Sequence, residues 1–300
     1  MITFSDLGLY GRLGNQLFQY AALRGISEKN NFTCKIPDFS SHNWHGQTCL
    51  LNNFNLKADI MTPMDKFKII GRTIEEKDYN KFDESYFSLP NNINIKGFFQ
   101  FTKYFDHCED LIREEFTPKP RFIEEAKKLL NRHKIGGYEI VSIHVRRGDM
   151  INHMYKDTGI HPDQVFDQHN IFNEKTIFGD YLNKSMKIFA DKKVKYFVFA
   201  GGKRNGDDTE DINYVKKVFT GDQFIISETN DPMVDFTTIM CCDHNITCHQ
   251  SSFGWWAAYL NSNPDKIVTS PQHYFFLFSK ELNNQRILNG HFPKNWTIIE

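Results

Sequence analysis

The sequence predicts an α/β fold with two domains, the second of them a Rossmann-like parallel sheet. The length of 300 residues suits two domains. Short apolar runs alternate with helical patterns from about residue 138 to residue 270, and polar motifs follow the ends of several of those runs. We therefore expect a less regular N-terminal α/β domain at 1–135, a C-terminal ligand-binding domain at 136–300, and a cleft between them.

The N-terminal domain has few clear elements. A Gly-rich loop precedes a helical pattern, one apolar run has the length of a strand, and two amphipathic helices follow. Pro118 and Pro120 separate these two helices, because proline is poorly tolerated inside a helix. The predicted elements are the helices Leu17–Lys29, Phe105–Phe116 and Arg121–Arg132 and the strand Asn91–Phe99.

The C-terminal domain alternates regularly between strands and helices after Gly136-Gly137. Its strands are short apolar runs bounded by turn residues, a pattern typical of strands buried on both faces. The predicted strands are Glu139–Val145, Lys195–Ala200, Gln223–Ser227, Asn245–His249 and Lys266–Thr269, and the predicted helices are Phe178–Asp191, Ile212–Phe219, Met233–Cys242 and Phe253–Leu260. In such sheets ligands bind outside the carboxyl ends of the strands, so we expect the functional site there.

The composition is that of an ordinary globular chain. With 36 Lys and Arg against 37 Asp and Glu, the net charge is −1, which does not provide the basic domain typical of nucleic-acid binding. No apolar segment approaches the ~18–20 residues of a spanning helix, and Met1–Asp6 has no secretory signal pattern. The six cysteines lack metal-ligand spacing. We expect a cytoplasmic protein without a transmembrane segment, and a peripheral membrane association stays open.

The strongest local motif is His144-Val145-Arg146-Arg147-Gly148-Asp149, directly after a predicted central strand. Arginine carries a fixed positive charge and a planar fork of donors that suits phosphate oxygens. When a sugar nucleotide is cleaved, negative charge grows on the departing diphosphate, and a guanidinium held there stabilises the transition state. The motif is a candidate catalytic site centred on Arg146. The alternative is a surface arginine pair at the edge of the sheet.

A second motif, Gly11-Arg12-Leu13-Gly14-Asn15-Gln16, precedes a helix. Its glycines let the backbone approach a ligand closely. Asn15 and Gln16 lie near the helix N-terminus, where free N–H groups and the helix dipole favour an anion. The spacing is neither that of a dinucleotide fingerprint nor that of a P-loop. A purely structural turn is the alternative.

A third motif is Gln250–Leu260, which places Ser251 and Ser252 at the mouth of a predicted helix. The functional interpretation is that both hydroxyls and the Phe253 backbone N–H bind a phosphate. The structural alternative is helix capping, since serine is a favoured N-cap residue.

The sequence predicts neither a metal nor another cofactor. The chain has no Asp-x-Asp motif of the kind that holds a divalent cation on a nucleotide diphosphate. Asp207-Asp208 follows a Gly-rich turn, where a solvated loop is the simpler interpretation. His153, His161 and His169 lie in a polar loop without the spacing of a zinc-binding helix.

Together these segments resemble the α-1,2-fucosyltransferase family. The resemblance rests on Gly11–Ala21, Lys96–Phe105, His144–Asp149, Asp235-Phe236 and Ser251–Leu260, in the expected order. It implies a GT-B-like, inverting glycosyltransferase that needs no metal. The implied donor is GDP-fucose, and the implied acceptor position is the O2 hydroxyl of a terminal β-galactose on a glycan.

The resemblance also implies roles for single residues. Arg146 contacts the donor diphosphate, Arg147 supports it and His144 shapes the same pocket. Phosphate is held by Ser251, Ser252 and Phe253, the guanosine faces Asp235, and the second motif, with Arg12, Asn15 and Gln16, contributes to substrate binding. Asp149 is the best single candidate for the general base, because its loop carries Arg146; a loop-stabilising carboxylate is an equal alternative.

Two departures from the family pattern stand out. The strand Tyr196–Phe199 leads into Ala200-Gly201-Gly202-Lys203 where Ser-Asp-Asp is usual, so the role of those acids is absent here or is taken by Asp207 or Asp208. The last motif has Gly254 where Ser is frequent, preceded by His249-Gln250. Three alternatives stay open, because a similar pocket of arginines and a glycine-rich loop would serve each of them: transfer of another GDP-sugar, protein O-fucosylation, and a non-enzymatic carbohydrate- or nucleotide-binding module.

Overall fold

The computed structural model describes residues 1–39, 42–44, 47–148, 156, 158–202, 207–276 and 278–300. Across these residues the chain forms two compact units, each built from two stretches of sequence. The first unit is Met1–Lys119 with Gln285–Lys294, and the second is Pro120–Asn284 with Asn295–Glu300.

The boundary between the units differs from the expected one at 135. The helix Pro120–Asn131 belongs to the second unit, because it packs against the helix Pro232–Cys241 and buries Phe122, Ala126 and Leu130. The segment Gln285–Lys294 returns to the first unit, which no sequence pattern indicates.

The first unit contains a parallel sheet of very short strands. In the described part of this unit the strands are β1 (Ile2–Thr3), β2 (Cys34–Ile36), β3 (Asn43–Trp44), β4 (Gln47–Thr48), β5 (Asp59–Ile60), β6 (Thr73–Glu75) and β7 (Ile93–Lys96). The sheet order is β5-β2-β1-β7-β6, with every pairing parallel, and β3 and β4 form a separate antiparallel pair. The predicted strand Asn91–Phe99 is present as the shorter β7.

Helix α1 (Leu13–Lys29) is the buried centre of this unit, and α2 (Pro63–Lys68) and α3 (Glu109–Glu115) are shorter. α1 begins at Leu13 rather than at the predicted Leu17, so the residues of the Gly-rich motif form its first turn. Gly25 permits close packing on this helix, since a Cβ there would lie 2.0 Å from the Tyr104 carbonyl oxygen. Arg24 pairs with buried Glu115 at 2.8 Å and ties α1 to the last residue of α3.

The second unit is built on a larger parallel sheet. The described strands are β8 (Glu139–Arg146), β9 (Val194–Gly201), β10 (Phe224–Ile226), β11 (His244–Ile246), β12 (Val268–Pro271) and β13 (Thr297–Ile299). The described helices that follow α3 are α4 (Pro120–Asn131), α5 (Pro162–Val165), α6 (Ile177–Lys187), α7 (Thr209–Val218), α8 (Pro232–Cys241), α9 (Ser252–Leu260) and α10 (Lys280–Leu288). The predicted strands and helices of this half are confirmed with shifted ends, while α5, α10 and β13 were not predicted.

The strand order positions the functional site. It is β10-β9-β8-β11-β12-β13, and every pairing is parallel. The chain runs outward from β8 through β9 to β10, then returns to the other side of β8 and continues from β11 to β13. This is the order 3-2-1-4-5-6 of dinucleotide-binding sheets, and it confirms the Rossmann-like prediction. The switch point lies between β8 and β11, whose carboxyl ends carry the first and third motifs.

Candidate functional site

The switch point brings the first and third motifs together. Arg146 is the last residue of β8, and Gln250 lies in the turn between β11 and α9. The Arg146 Nη1 donates to the Gln250 carbonyl oxygen at 3.1 Å. Gln250 adopts the left-handed conformation, with φ of 51°, as the chain turns toward α9. The half-buried Arg146 guanidinium is therefore held beside the loop that leads to the helix N-terminus.

Arg147 does not share this position, although the resemblance implied that it supports Arg146 at the donor diphosphate. Its guanidinium lies in the core, 3.7 Å from the centre of the Tyr214 ring. Its Nε contacts the Asp211 Oδ1 at 3.4 Å, and both side chains are buried. Asp211 also accepts the Gly148 backbone N–H at 3.0 Å. Since successive side chains leave a strand on opposite sides, only one of two adjacent arginines can face the switch point. Arg147 therefore anchors the loop after β8 to α7.

His144 is buried beneath the third motif and is uncharged. Its Nδ1 lies 3.3 Å from the Ser251 Oγ and 3.6 Å from the Cys248 Sγ. Because two donors converge on Nδ1, we assign this nitrogen as the acceptor and place the proton on Nε2. Burial, assisted by the charge of Arg146, lowers the pKa of His144 to about 3. The residue is therefore a neutral hydrogen-bond donor at physiological pH.

Gly254 is explained by the position of His144. A Cβ at Gly254 would lie 2.4 Å from the His144 Nδ1, closer than real Cβ contacts. The glycine in the third motif thus makes room for the imidazole against the first turn of α9.

Ser251 caps α9, as the structural alternative proposed. It is fully buried, and its Oγ accepts the Gly254 N–H at 3.4 Å in addition to the contact with His144. Its geometry therefore does not offer the direct phosphate contact suggested for it. Ser252 and Phe253 are half-buried in the first turn. Backbone N–H groups in a first helical turn have no acceptor within the helix, so this position suits an anion.

Asp235 lies in the first turn of α8. The neighbouring Phe236 ring packs on the Phe253 ring at 5.2 Å. The Asp235 Oδ1 accepts from the Ser227 Oγ at 2.6 Å and from the Thr229 Oγ1 at 2.8 Å. Burial raises the pKa of Asp235 to about 7 in spite of these hydrogen bonds. Both bonds go to Oδ1, so within the described residues Oδ2 stays available for a further donor.

Asp208 supplies an acidic group at the end of β9, where the sequence has Gly201-Gly202. The Gly202 N–H donates to the Asp208 Oδ1 at 2.9 Å, and a Cβ at Gly201 would lie 2.6 Å from the Oδ2. The carboxylate therefore fills the space that a side chain at 201 would need. Gly202 in turn lies against Arg146, since its Cβ would be 3.6 Å from the Nε. Asp208 is half-buried rather than a solvated loop residue, whereas Asp207 is exposed.

Arg12, Asn15 and Gln16 lie in the first unit. Gln16 is buried and structural: its Nε2 donates to the Gly11 carbonyl at 2.8 Å, and its Oε1 accepts from the Cys49 Sγ at 3.4 Å. The expected substrate contact of Gln16 is therefore not supported. Arg12 is the half-buried N-cap of α1, and the half-buried Asn15 accepts from the Gln100 Nε2 at 3.0 Å.

Asp149, the candidate base, lies outside the described residues. The loop before it is anchored as far as Gly148 through Asp211. The described residues contain no group of three or more His, Cys, Asp or Glu side chains that could hold a metal ion. Nor does any helix in the described part of the chain combine the length and apolar character needed to span a bilayer.

The family model for glycosyl transferase family 11 matches residues 2–300 of the chain. The chain belongs to this family. The resemblance to the α-1,2-fucosyltransferases is thereby confirmed, and the protein is a glycosyltransferase.

Relatives of this family 11 transferase are described by the sugar that they transfer. The chain is 25% identical to an Escherichia coli α-1,2-colitosyltransferase over 97% of both chains. It is 28% identical to the rat galactoside α-(1,2)-fucosyltransferase 1 over 83% of this chain, which corresponds to 61% of the rat protein. Among solved structures it is similar to the fucosyltransferase NodZ from Bradyrhizobium, with a TM-score of 0.47, 13% identity, and coverage of 85% of this chain and 92% of that one.

No sequence motif marks several residues that hold the candidate residues in place. They are the partners of the motif residues: Asp211 and Tyr214 under Arg147, and Ser227 and Thr229 on Asp235. Their types are common on helices and in loops, and no spacing marks them. The glycine pair after β9 was one usable signal, because it left two possibilities: the role of the usual acids is absent, or Asp207 or Asp208 takes it.

Proposed function

We propose that this family 11 transferase moves L-fucose from GDP-fucose to the O2 hydroxyl of a terminal β-galactose on a glycan, with inversion at the anomeric carbon. The observation that carries the proposal is the position of Arg146 at the switch point of the parallel sheet, bonded to the loop that leads into α9. Both groups suit a diphosphate, one through its charge and the other through the backbone N–H groups of a first helical turn.

The mechanism follows from where charge develops. As the bond between the anomeric carbon and the diphosphate breaks, negative charge grows on the departing oxygen. The Arg146 guanidinium and the backbone N–H groups of Ser252 and Phe253 stabilise that charge without reorganising. The Nε2–H of neutral His144 adds a donor that does not depend on protonation near pH 7. The acceptor hydroxyl attacks the anomeric carbon from the opposite face.

The guanine base is assigned to Asp235. Guanine presents two adjacent N–H donors on one edge, and a carboxylate accepts both in a bidentate contact. Ser227 and Thr229 hold Asp235 through Oδ1, which orients the carboxyl group and favours its ionised form. Asp149 is proposed as the base that accepts the proton of the attacking hydroxyl. We further propose that transfer needs no divalent cation, since arginine and backbone donors balance the charge of the leaving diphosphate. Chelation by EDTA should then leave the rate unchanged.

The test is transfer from GDP-fucose to a panel of β-galactosides, with linkage analysis of the product. Arg146→Ala should lower kcat/KM by about 10²–10³, and the exposed Arg132→Ala serves as a matched control with normal activity. A variant Arg146→Ala that kept near-normal kcat/KM would refute the proposed role. A product with another linkage would refute the acceptor assignment and leave the donor assignment standing.

Another donor sugar is the second candidate, favoured by the full-length match to a colitosyltransferase. Colitose is L-fucose without its 3-hydroxyl, so the two GDP-sugars differ by one polar group. A site that hydrogen-bonds this hydroxyl rejects the deoxy sugar strongly, whereas a site without such a contact accepts both. Direct competition between GDP-fucose and GDP-colitose in one reaction separates the two candidates.

A further inference from the structure

A cluster of apolar side chains is exposed around α2 in the first unit, far along the chain from the motifs of the site. Ile60, Met64, Phe67 and Ile70 are 53%, 63%, 71% and 71% exposed. Met64, Phe67 and Ile70 are three residues apart, and the Ile70 N–H donates to the Phe67 carbonyl at 3.3 Å, so the helical turn continues past α2. Residues at this spacing lie on one side of a helix. Solvent-exposed side chains of this size seldom gather on a free surface without a partner.

The exposure is not a result of poor packing, because the opposite side of the segment is fixed. Met61 and Ile69 are buried in a small core with Met1. Thr62 and Asp65 form a capping box at the start of α2. Asp65 is buried and pairs with Lys35 at 2.9 Å. The helix is therefore held rigidly, with Met64, Phe67 and Ile70 facing outward.

The charges around these side chains have one sign. Lys66, Lys68 and Arg72 are exposed beside them, whereas Asp65 is turned inward and neutralised. Acidic side chains occur only at the margins: Asp59 is exposed before Ile60, and Glu75 pairs with Lys96 at 3.1 Å. We name this region the α2 surface and define it by its exposed apolar and basic residues, Ile60, Met64, Lys66, Phe67, Lys68, Ile70 and Arg72.

We propose that the α2 surface docks on an anionic lipid bilayer. Exposed aromatic and aliphatic side chains enter the boundary between headgroups and acyl chains, and flanking lysine and arginine side chains contact the acidic headgroups. A second copy of the chain is a poorer match, because a symmetric contact would bring two sets of three cations together. The docking does not depend on the proposed transfer reaction.

The experiment is cosedimentation of the full-length chain with vesicles. One set contains phosphatidylcholine alone and the other equal parts of phosphatidylcholine and phosphatidylglycerol. We expect binding to the mixed vesicles, weak binding to the neutral ones, and release at high salt. Replacing Lys66, Lys68 and Arg72 by Gln should reduce partitioning of the chain onto the mixed vesicles more than about tenfold, since one such cation contributes about fivefold to the partition coefficient. Phe67→Ser with Ile70→Ser should abolish binding.

The control variant is Ile135→Ser, because Ile135 is 78% exposed and lies outside the α2 surface. It should bind like the unaltered chain. All variants should keep the same melting temperature and the same transfer rate on a soluble β-galactoside, which separates failure of this proposal from failure of the proposed function. Equal binding to both vesicle types, or unchanged binding of the α2 variants, would overturn the proposal. So would absence of vesicle binding together with self-association in sedimentation velocity that Phe67→Ser with Ile70→Ser removes.

Discussion

The guanine contact proposed for Asp235 would make nucleotide binding depend on pH. Its pKa is raised to about 7, first by burial and then by the nearby charges of Asp208 and Asp231, while the Ser227 and Thr229 hydroxyls oppose the shift. A guanine that donates two N–H groups requires the ionised form. In the free protein a large share of this carboxyl is protonated at neutral pH, so binding has to release a proton.

We therefore predict that the affinity for GDP falls as the pH drops below about 7, by as much as tenfold per unit. The measurement is isothermal titration calorimetry between pH 5 and pH 8 in buffers of different ionisation enthalpy, which also counts the proton released. GDP has its own titrating phosphate, so Asp235→Asn supplies the background. The Asp235→Asn variant should bind GDP more weakly at pH 8. The pH dependence of its affinity should lack the part that is due to titration of Asp235. The same pH profile in both proteins would contradict the assignment.

At the scale of residues, the sequence identified candidate residues that the structure brings together, but not the orientation of their side chains. Arg146, His144 and Phe253 were identified from motifs, and the structure brings them together at the switch point. The two arginines looked equivalent in sequence. Because side chains alternate along a strand, the two arginines lie on opposite sides. The buried Tyr214 and Asp211 hold Arg147. These two residues lie more than 60 positions from Arg147 in the sequence, so the contact could not be predicted from it.

At the scale of elements, α7 and the loop after β8 depend on a buried ion pair. Removing one member of such a pair leaves an uncompensated charge and costs about 3–5 kcal/mol. Arg147→Met should therefore lower the free energy of unfolding by about that amount, measured by urea denaturation. Arg146→Ala, one residue away, should leave stability nearly unchanged while transfer is lost. If Arg147→Met unfolded at the same urea concentration as the unaltered chain, the anchoring role would be wrong.

The contact between β8 and α9 gives a second prediction at this scale. Gly254→Ala places a methyl group against the His144 ring, and overpacking of this kind costs about 1–3 kcal/mol. In a His144→Ala background the space is open, and alanine is favoured over glycine in a helix by about 1 kcal/mol. We predict that Gly254→Ala destabilises the natural chain and is neutral or stabilising beside His144→Ala. A double-mutant cycle in urea measures the coupling; an equal cost in both backgrounds would show that the two residues are independent.

Elements were predictable where the apolar pattern was long enough. β8 and β9 are eight residues each, and their apolar runs were visible in the sequence. The strands of the first unit are two to four residues long, so alternation along them cannot be detected. β13 was missed because it is a three-residue edge strand that, within the described residues, pairs with β12 alone. None of its residues is buried: Thr297 is exposed, and Ile298 and Ile299 are half-buried.

At the scale of the whole molecule, the last residues of the sequence contribute to both units. Gln285–Lys294 belongs to the first unit, where the Gly290 carbonyl accepts the Thr102 N–H at 2.8 Å and His291 contacts the Gln100 carbonyl at 2.8 Å. Asn295–Glu300 returns to the second unit, where Trp296 packs on Trp255 and β13 completes the sheet. Dividing the sequence into two halves could not show that Gln285–Lys294 belongs to the first unit. That assignment depends on contacts between this short segment and residues far away in the sequence.

This arrangement predicts different results for two truncations. A chain that ends at Lys294 loses β13 and Trp296 but keeps the segment of the first unit. A chain that ends at Asn284 also loses Arg286 and His291, which bond to the backbone around Tyr79 and Gln100. Hydrogen exchange of the β7 and α1 amides should be unchanged in the longer chain and faster in the shorter one, because local protection follows local stability. The α9 and β12 amides should exchange faster in both. Equal loss of β7 protection in the two chains, or full protection in the shorter one, would show that Gln285–Lys294 does not stabilise the first unit.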